Sequence, residues 1–260
     1  MEATDDPLSA RCKCCGEIAL WFGAADFNKS GVDRHGKVFA PLGRPVSYYR
    51  CETCGFLFSL FMDDWTPARF RREIYNDDYI KVDPDITGLR AAAVAPFVDE
   101  LCGAAKATLR VYDYGGGTGQ LEAALRARGF GRIEGGDPFF DARAVEPHDV
   151  DLMLCVEVVE HLTVPDAMFA AAARGLAAAG LLYFTTVLQP DEILSLRTGW
   201  WYCAPRNGHV SLHSARSLRV LAERHGFRLA SFQGLAHFAW RGAPAWAAHL
   251  LPRLAAAAVT

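Results

Sequence analysis

The fold of this chain is decided by residues 111–121, which read "VYDYGGGTGQL". The stretch begins with the β-branched and aromatic residues of a buried strand and then passes through three consecutive glycines. The run "QLEAALRARGF" continues it as a helix that Gly129 ends. Strand, glycine-rich turn and helix in this order predict a Rossmann-like unit, in which a ligand binds at the carboxyl end of the strand.

The spacing of the glycines limits the ligand that this turn accommodates. Asp113, Gly115, Gly117 and Gly119 follow the pattern D-x-G-x-G-x-G. A dinucleotide fingerprint needs a third glycine where this chain has Gln120, which disfavours a nicotinamide oxidoreductase. A P-loop is excluded because no Gly-Lys-Ser/Thr follows. A structural turn that holds no ligand is the alternative.

The pattern resembles the first motif of the class I S-adenosylmethionine-dependent methyltransferases. Three later strings match that family in order: "GRIEGGDPFF" as a second strand, "DVDLMLCVEVVEHL" as the fourth strand and its turn, and "GLAAAGLLYFTTV" as the fifth strand. The resemblance covers residues 108–187. It implies an α/β fold, with a Rossmann-like, mostly parallel sheet and helices on both faces, and S-adenosylmethionine as the cofactor.

The resemblance also implies which residues contact the cofactor. The glycine turn would admit the methionine part, whose ammonium group an acidic residue tolerates, and Asp137 would accept both ribose hydroxyls. The predicted cofactor-binding residues are Asp113, Gly115, Gly117, Gly119, Asp137, Pro138, Phe139 and Glu157. Only "PFFDARAVEPH" separates Asp137 from the next strand, so the helix and strand that the family usually has there are shortened, and the adenine contacts are left open.

A second pattern near the N-terminus predicts a metal site. "CKCCG" and "CETCG" repeat Cys-x-x-Cys-Gly, so Cys12, Cys15, Cys51 and Cys54 can supply four thiolates to one tetrahedral Zn²⁺. Four thiolates leave no open coordination position, which makes the zinc structural. Cys14 could replace a neighbour as a ligand, and four unconnected thiols are the alternative. The strand-like run between the pairs predicts a small zinc-ribbon-like module.

The chain is expected to divide into three parts. They are a zinc-binding module at 1–62, a helical connector or cap at 63–106, and a Rossmann-like methyltransferase domain at 107–260. In the connector, Thr66 and Pro67 predict a helix start, and Pro96 predicts a kink or break in the following helix. The apolar tail from residue 243 predicts either a docked helix or the self-association surface of a homodimer.

The chemistry is expected after the fourth and fifth strands. A methyl group on a sulfonium is already electrophilic, so the enzyme must align a nucleophile and take up its proton. Among the candidates for this base, His209 comes first, followed by His161 and His213, because an imidazole ionises near neutral pH. The predicted substrate-binding residues, all in the aromatic-rich loop after the fifth strand, are Trp200, Trp201, Tyr202, Arg206 and Asn207. Alternatively, the tryptophans anchor this loop and its histidines bond to the backbone.

Composition favours a small-molecule enzyme. The 260 residues carry 27 Lys and Arg against 30 Asp and Glu, a net charge of −3, which makes nucleic acid an unlikely partner. We therefore expect a methyltransferase acting on a small polar acceptor, such as a sugar, a sugar nucleotide or a glycan end, with oxygen as the nucleophile. The alternatives are a ribosomal or transfer RNA methyltransferase and a non-catalytic zinc-containing binding module. The absence of a signal-like or spanning apolar run predicts a cytoplasmic protein without a membrane span.

Overall fold

In this computed structural model of the chain, residues 8–140 and 146–259 are described. They form two compact units. The first unit comprises the described residues up to Asp83 together with Val159–Asp166 and Val187–Leu221. The second comprises the described residues of Pro84–Val158, Ala167–Thr186 and the chain from Ala222 onward. This division differs from the predicted linear boundaries, because two later segments pack with the N-terminal residues in the first unit.

The first unit is built on a five-stranded antiparallel sheet. Its strands, numbered in chain order, are β1 (Ser9–Arg11), β2 (Ile18–Asp26), β3 (Pro45–Cys51), β4 (Leu57–Phe58) and β9 (Ser211–Leu212), and they lie side by side in that order. Leu57 pairs with Leu212 and Phe58 with Ser211. A strand from late in the chain therefore completes a sheet that begins at residue 9.

Short helices accompany this sheet. The α-helices are α1 (Pro67–Glu73), α2 (Tyr79–Val82) and α6 (Ile193–Leu196), and the 3₁₀ helices are Gly31–His35, Val159–His161, Arg197–Gly199 and Pro205–Asn207. The predicted start of α1 is confirmed: the Thr66 hydroxyl accepts a hydrogen bond from the Arg69 amide, and Pro67 takes the first helical position. The helix α7 (Ala215–Arg224) contains the boundary at Leu221 between the two units.

The second unit contains the mostly parallel sheet that the sequence predicts, and this sheet has six strands. Its strands are β5 (Arg110–Tyr114), β6 (Arg132–Gly136), β7 (Val150–Val156), β8 (Leu176–Thr185), β10 (Arg228–Phe232) and β11 (Ala236–Trp240). The spatial order is β10-β11-β8-β7-β5-β6. The strands β6, β5, β7 and β8 are parallel to one another, and β11 is antiparallel to both of its neighbours, β8 and β10. Because β5 lies between β6 and β7, the chain changes direction across the sheet at β5. Ligands of open α/β sheets bind outside the carboxyl ends of the strands at such a switch point.

Helices cover both faces of this sheet. They are α3 (Leu89–Cys102), α4 (Gln120–Arg126), α5 (Ala167–Gly175) and α8 (Leu251–Ala256), the last preceded by the 3₁₀ helix Ala245–Leu250. The ring of Phe97 in α3 lies 5.1 Å from that of Tyr183, whereas Phe169 in α5 lies 5.7 Å from Phe184. Since neighbouring residues of a strand point to opposite faces, α3 and α5 pack on opposite sides of β8.

Two expectations about helices have different outcomes. The helix α3 ends at Gly103 as predicted, but it runs unbroken through Pro96, so the predicted break there is wrong. Burial of Ala95 and Val98 on either side of the proline holds the helix against the core. In the tail, Leu254 of α8 is buried in the same core, which fits the predicted docked helix. Self-association stays a prediction.

Among the described residues, no helix combines the length and the apolar composition that crossing a membrane requires.

Candidate active site and metal centre

The glycine turn joins the end of β5 to the end of β6. The Gly115 amide donates a hydrogen bond of 2.9 Å to the Gly136 carbonyl. Gly115 has a φ of +73°, and a Cβ there would lie 2.7 Å from the Val158 side chain, so no other residue fits. At Gly117, with a φ of +57°, a Cβ would meet nothing within 4 Å. The turn therefore presents an open side at Gly117 where a ligand can approach the backbone.

Asp113 lies beneath this turn. Its side chain is buried, and its Oδ2 would lie 2.6 Å from a Cβ placed on Gly116. That oxygen has no hydrogen-bond partner among the described residues. Burial, followed by the charges of Glu122 and Asp137, raises the pKa of Asp113 to about 7. Such a carboxyl group fits the ammonium group of S-adenosylmethionine, because a nearby cation would stabilise its charged form.

Asp137 follows β6 at the same edge of the sheet. Its Oδ2 accepts a hydrogen bond of 3.1 Å from the Gly117 amide, and its Oδ1 accepts one of 2.8 Å from the Phe139 amide. These bonds tie Asp137 to the glycine turn, while burial raises its pKa. A carboxylate offers about four acceptor sites, so capacity remains for the ribose hydroxyls.

The residues after Asp137 bear on the adenine side of the site. Pro138 is exposed, Phe139 is half-buried and Phe140 is 42% exposed. The next part of the shortened segment, residues 141–145, lies outside the described residues. The predicted cofactor contacts of Pro138 and Phe139 therefore stay predictions.

Glu157 stands immediately after β7, next to the switch point. Its φ of +53° places a non-glycine residue in the left-handed region. The Glu157 amide donates to the Thr185 hydroxyl at 3.0 Å, which holds this conformation. Asp149, Arg197 and Gln233 have the same kind of backbone, and the predicted contact of Glu157 with the cofactor stays a prediction.

The first unit brings the four predicted zinc ligands together. The Cys12 and Cys54 sulfurs lie 3.6 Å apart, those of Cys15 and Cys51 lie 3.5 Å apart, and all four lie within 4.8 Å of one another. Zn–S bonds of about 2.3 Å in a tetrahedron place the sulfurs about 3.8 Å apart, so the arrangement fits zinc. Cys14 is not one of the four. Its thiol donates to the Ser217 carbonyl at 3.5 Å and also contacts the Cys54 thiol.

The backbone around the cysteines forms two matching turns. The Gly16 amide donates to the Cys12 carbonyl at 2.9 Å, and the Gly55 amide donates to the Cys51 carbonyl at 2.8 Å. A hydrogen bond with Cys54, followed by burial, raises the pKa of the Cys12 thiol. Metal binding would therefore have to displace protons, as it does when thiolates become ligands.

Two of the three predicted bases lie together in the first unit. The His161 and His209 rings are 4.9 Å apart, and the His209 Nδ1 donates to the Tyr202 carbonyl at 2.9 Å. His213 is placed elsewhere in this unit, with its ring 5.0 Å from Phe56 and its Nδ1 3.4 Å from the Ser217 hydroxyl. His213 therefore has a packing environment rather than a place in the pair.

Glu160 joins this histidine pair; it lies after the fourth strand, where the chemistry is expected, but the sequence assigned it no role. Its side chain is 1% exposed, its Oε1 accepts a hydrogen bond of 2.7 Å from the Tyr202 hydroxyl, and the same oxygen is 3.8 Å from the His161 Nε2. The signal in the sequence was the adjacent Glu-His pair within "EVVEHL". What the sequence could not reveal is that His209 lies beside that pair.

The predicted substrate-binding residues are mostly engaged within the first unit. Trp200 and Tyr202 are buried. Arg206 donates to the Ile74 carbonyl at 3.2 Å, and Asn207 donates to the Val82 carbonyl at 3.1 Å. Trp201 is half-buried, with the Arg34 guanidinium 4.0 Å from its ring. These contacts support the anchoring alternative for the loop, and substrate binding by these residues stays a prediction.

Comparison with known protein families identifies the chain. The family described as "Methyltransferase domain" matches residues 87–231, more than half of the sequence. The chain belongs to this methyltransferase family. The family implies S-adenosylmethionine as the cofactor. The match includes all the predicted cofactor residues and His209, whereas the four cysteines lie outside it.

Several solved methyltransferase structures resemble this methyltransferase. An O-methyltransferase family protein from Burkholderia thailandensis is 17% identical, with a TM-score of 0.44, over 60% of this chain and 57% of that chain. The mitomycin 7-O-methyltransferase MmcR is 16% identical, with a TM-score of 0.45, over 68% of this chain and 61% of that chain. The matched regions thus span less than two thirds of either solved chain. No curated protein matches the chain.

Proposed function

We propose that the protein transfers the methyl group of S-adenosylmethionine to a hydroxyl group of a small polar acceptor, such as a sugar, a sugar nucleotide or a glycan end. The observation that carries the proposal is the arrangement of Asp113, the glycine turn and Asp137 at the switch point of the parallel sheet. It combines a buried acid, an open stretch of backbone and a second acid that is fixed by two amides. These features suit, in turn, the ammonium group, the methionine chain and the ribose.

Each of these residues has one task in the proposed reaction. The cofactor, when bound, supplies an electrophilic methyl group on its sulfonium. Asp113 would hold the cofactor's ammonium group and Asp137 its ribose, so that two separated charges fix the cofactor's orientation. Orientation of this kind is the main contribution that the protein makes to methyl transfer.

A hydroxyl acceptor also needs a group that takes its proton. His209 is the first candidate, because the Tyr202 carbonyl fixes the proton on Nδ1 and leaves the lone pair on Nε2. His161, whose ring lies beside His209, is the second. The net charge of −3 supports a small acceptor over an RNA, because RNA-binding proteins usually carry a basic surface.

We further propose that Cys12, Cys15, Cys51 and Cys54 hold a structural Zn²⁺. The two matching turns and the spacing of the sulfurs support a closed, four-thiolate site. The zinc would connect the turn before β2 to the turn between β3 and β4.

The first test is calorimetric titration of the purified protein with S-adenosylhomocysteine, with NADH as the control ligand. We expect micromolar binding of S-adenosylhomocysteine alone. Asp137→Ala should weaken it at least about tenfold, because each lost charged hydrogen bond contributes about 1.5–3 kcal/mol. Glu134→Ala is the matched control, since it removes an exposed acid from β6 and should leave binding unchanged.

The acceptor is tested next with radiolabelled S-adenosylmethionine. Sugars and sugar nucleotides are offered in parallel with transfer RNA and ribosomal RNA transcripts. Labelling of the small acceptors supports the proposal, whereas labelling of RNA alone would show that the acceptor is an RNA and not a small molecule. Failure to bind S-adenosylhomocysteine would overturn the enzyme proposal and favour a binding module.

A further inference from the structure

We propose that Glu160, His161 and His209 form a second metal site, which takes a divalent transition-metal ion through nitrogen and oxygen ligands. One ligand atom from each residue lies within 4.8 Å of the other two. All three residues belong to the first unit, so the site is internal to one compact body. It differs in chemistry from the four-cysteine site, which offers sulfur alone.

The ligand set defines the kind of ion. A carboxylate with two imidazoles suits Zn²⁺, Mn²⁺, Fe²⁺ or Co²⁺ and lacks the thiolates that select softer ions. Three protein ligands leave one or more coordination positions open. Open positions are the mark of a catalytic site, whereas the four cysteines would close theirs.

Supporting hydrogen bonds orient two of the three ligands. The Tyr202 hydroxyl donates to the Glu160 Oε1 at 2.7 Å, and the Tyr202 carbonyl accepts from the His209 Nδ1 at 2.9 Å. A single residue thus positions the carboxylate and fixes the tautomer that leaves the His209 Nε2 able to bind metal. Ligating histidines in proteins almost always donate their other ring nitrogen in this way.

The backbone holds the ligands in register. The Val210 amide donates to the Glu160 carbonyl at 2.9 Å, and the Tyr48 hydroxyl donates to the His209 carbonyl at 2.8 Å. Gly208, with a φ of +90°, allows close approach to His161, because a Cβ there would lie 3.2 Å from the His161 Nδ1. The segments that carry the ligands are therefore fixed before any ion arrives.

Burial favours a cation at this position. The Glu160 side chain is almost completely buried, His209 is buried and His161 is partly buried. Moving a carboxylate out of water is costly unless a positive charge lies close to it. A divalent ion bound by Glu160 and two imidazoles meets that requirement and adds two strong nitrogen bonds.

This inference touches the proposed function at one point, since both assign a task to the same residues. With an ion bound, His161 and His209 would act as ligands in place of acting as bases.

The site is tested by Mn²⁺ binding to the full-length protein after mild treatment with EDTA. Elemental analysis first establishes the zinc that remains, and electron paramagnetic resonance then counts the Mn²⁺ bound. We expect one Mn²⁺ per chain in addition to the zinc. Glu160→Gln and His161→Gln should each weaken Mn²⁺ binding more than about tenfold, and Tyr202→Phe should weaken it by about 10–100-fold.

The control variant is His213→Gln, which changes another buried histidine of the first unit and should leave Mn²⁺ binding intact. Circular dichroism checks that each variant folds. If the ligand variants do not fold, Tyr202→Phe still tests the site, because it removes only the hydroxyl group and keeps the aromatic ring. The proposal is overturned if the wild-type protein binds no Mn²⁺ and no Co²⁺ beyond its zinc. It is also overturned if all the variants bind as the wild-type protein does.

Failure of this site is distinguishable from failure of the proposed function. S-adenosylhomocysteine binding is measured in EDTA, and Mn²⁺ binding is measured without the cofactor. If the protein binds S-adenosylhomocysteine and transfers methyl groups in EDTA but has no Mn²⁺ site, the proposed function stands and the second metal site is wrong. If it binds Mn²⁺ but not S-adenosylhomocysteine, the metal site stands and the proposed methyl transfer is wrong.

Discussion

At the scale of single residues, the protonation of Asp113 connects the fold to its ligand. The pKa of this carboxyl group is raised from an ordinary value of 3.8 to about 7 by burial and by neighbouring acids. The folded protein therefore holds this proton to a higher pH than the unfolded chain does. Protonation of Asp113 therefore contributes to the free energy of unfolding. This contribution is complete below the ordinary pKa and is lost as the pH rises through about 7.

The pH dependence of ligand binding should follow the ionisation of Asp113. An ammonium group beside Asp113 prefers the charged carboxylate, so the affinity for S-adenosylhomocysteine should rise with pH up to about 7 and then level off. Below that pH the affinity should fall by up to about tenfold per pH unit. Calorimetry at several pH values measures this, and Asp113→Asn should remove the step. An identical pH profile in the wild-type protein and the variant would contradict the assignment.

At the scale of elements, the cysteine pairs are turns within one sheet. Cys51 ends β3, and the turn that it begins leads to β4, whose partner on the other side is β9. A metal ion bound there would hold these strands together, and its binding free energy would add to the free energy of unfolding.

Removal of a ligand should therefore have a larger effect than removal of the neighbouring thiol. We expect Cys51→Ser to lose zinc and to lower the melting temperature strongly, whereas Cys14→Ser should keep its zinc and change the melting temperature far less. Elemental analysis and thermal unfolding measure both effects. Zinc loss in Cys14→Ser, or full zinc content in Cys51→Ser, would show that the ligand set is different.

Some of these elements could be predicted from the sequence, and others could not. Most of the parallel strands were predictable because strands that are buried on both faces appear as apolar runs, and the glycine turn ends such a run. Asp137 follows the polar strand Arg132–Gly136, and it was predicted from the family resemblance. β9 was not predictable, because it has only two residues and its pairing with β4 is non-local. The approach of His209 to Glu160 and the backbone partners of Arg206 were not predictable for the same reason, because these contacts join residues that are far apart in the sequence.

At the scale of the whole molecule, the polypeptide passes between the two units several times. The segment 187–221 leaves the second unit after β8 and contributes Tyr202, Val210 and Leu212 to the buried part of the first. The two units therefore do not correspond to two consecutive pieces of sequence. Cutting the chain at Asp83 would remove the partners of a segment that lies far downstream.

This interleaving predicts the behaviour of a fragment comprising residues 84–260. We expect it to bind a hydrophobic dye and to lack the near-ultraviolet circular dichroism of a packed protein, because its segment 187–221 has lost Tyr48 and β4 as partners. The full-length protein is the control. A fragment that unfolds cooperatively and binds S-adenosylhomocysteine as tightly as the full chain would show that the second unit folds independently.

The pairing of Leu57 with Leu212 also has a consequence for synthesis on the ribosome. Translation delivers all four cysteines by residue 54, so an ion can be captured while most of the polypeptide is still unmade. The edge of β4 that pairs with β9 has no partner strand until residue 212 has left the ribosome. For that interval the nascent protein carries an exposed strand edge, the kind of surface that invites wrong partners. Completion of this sheet thus depends on a two-residue strand that lies far downstream of β4 in the chain.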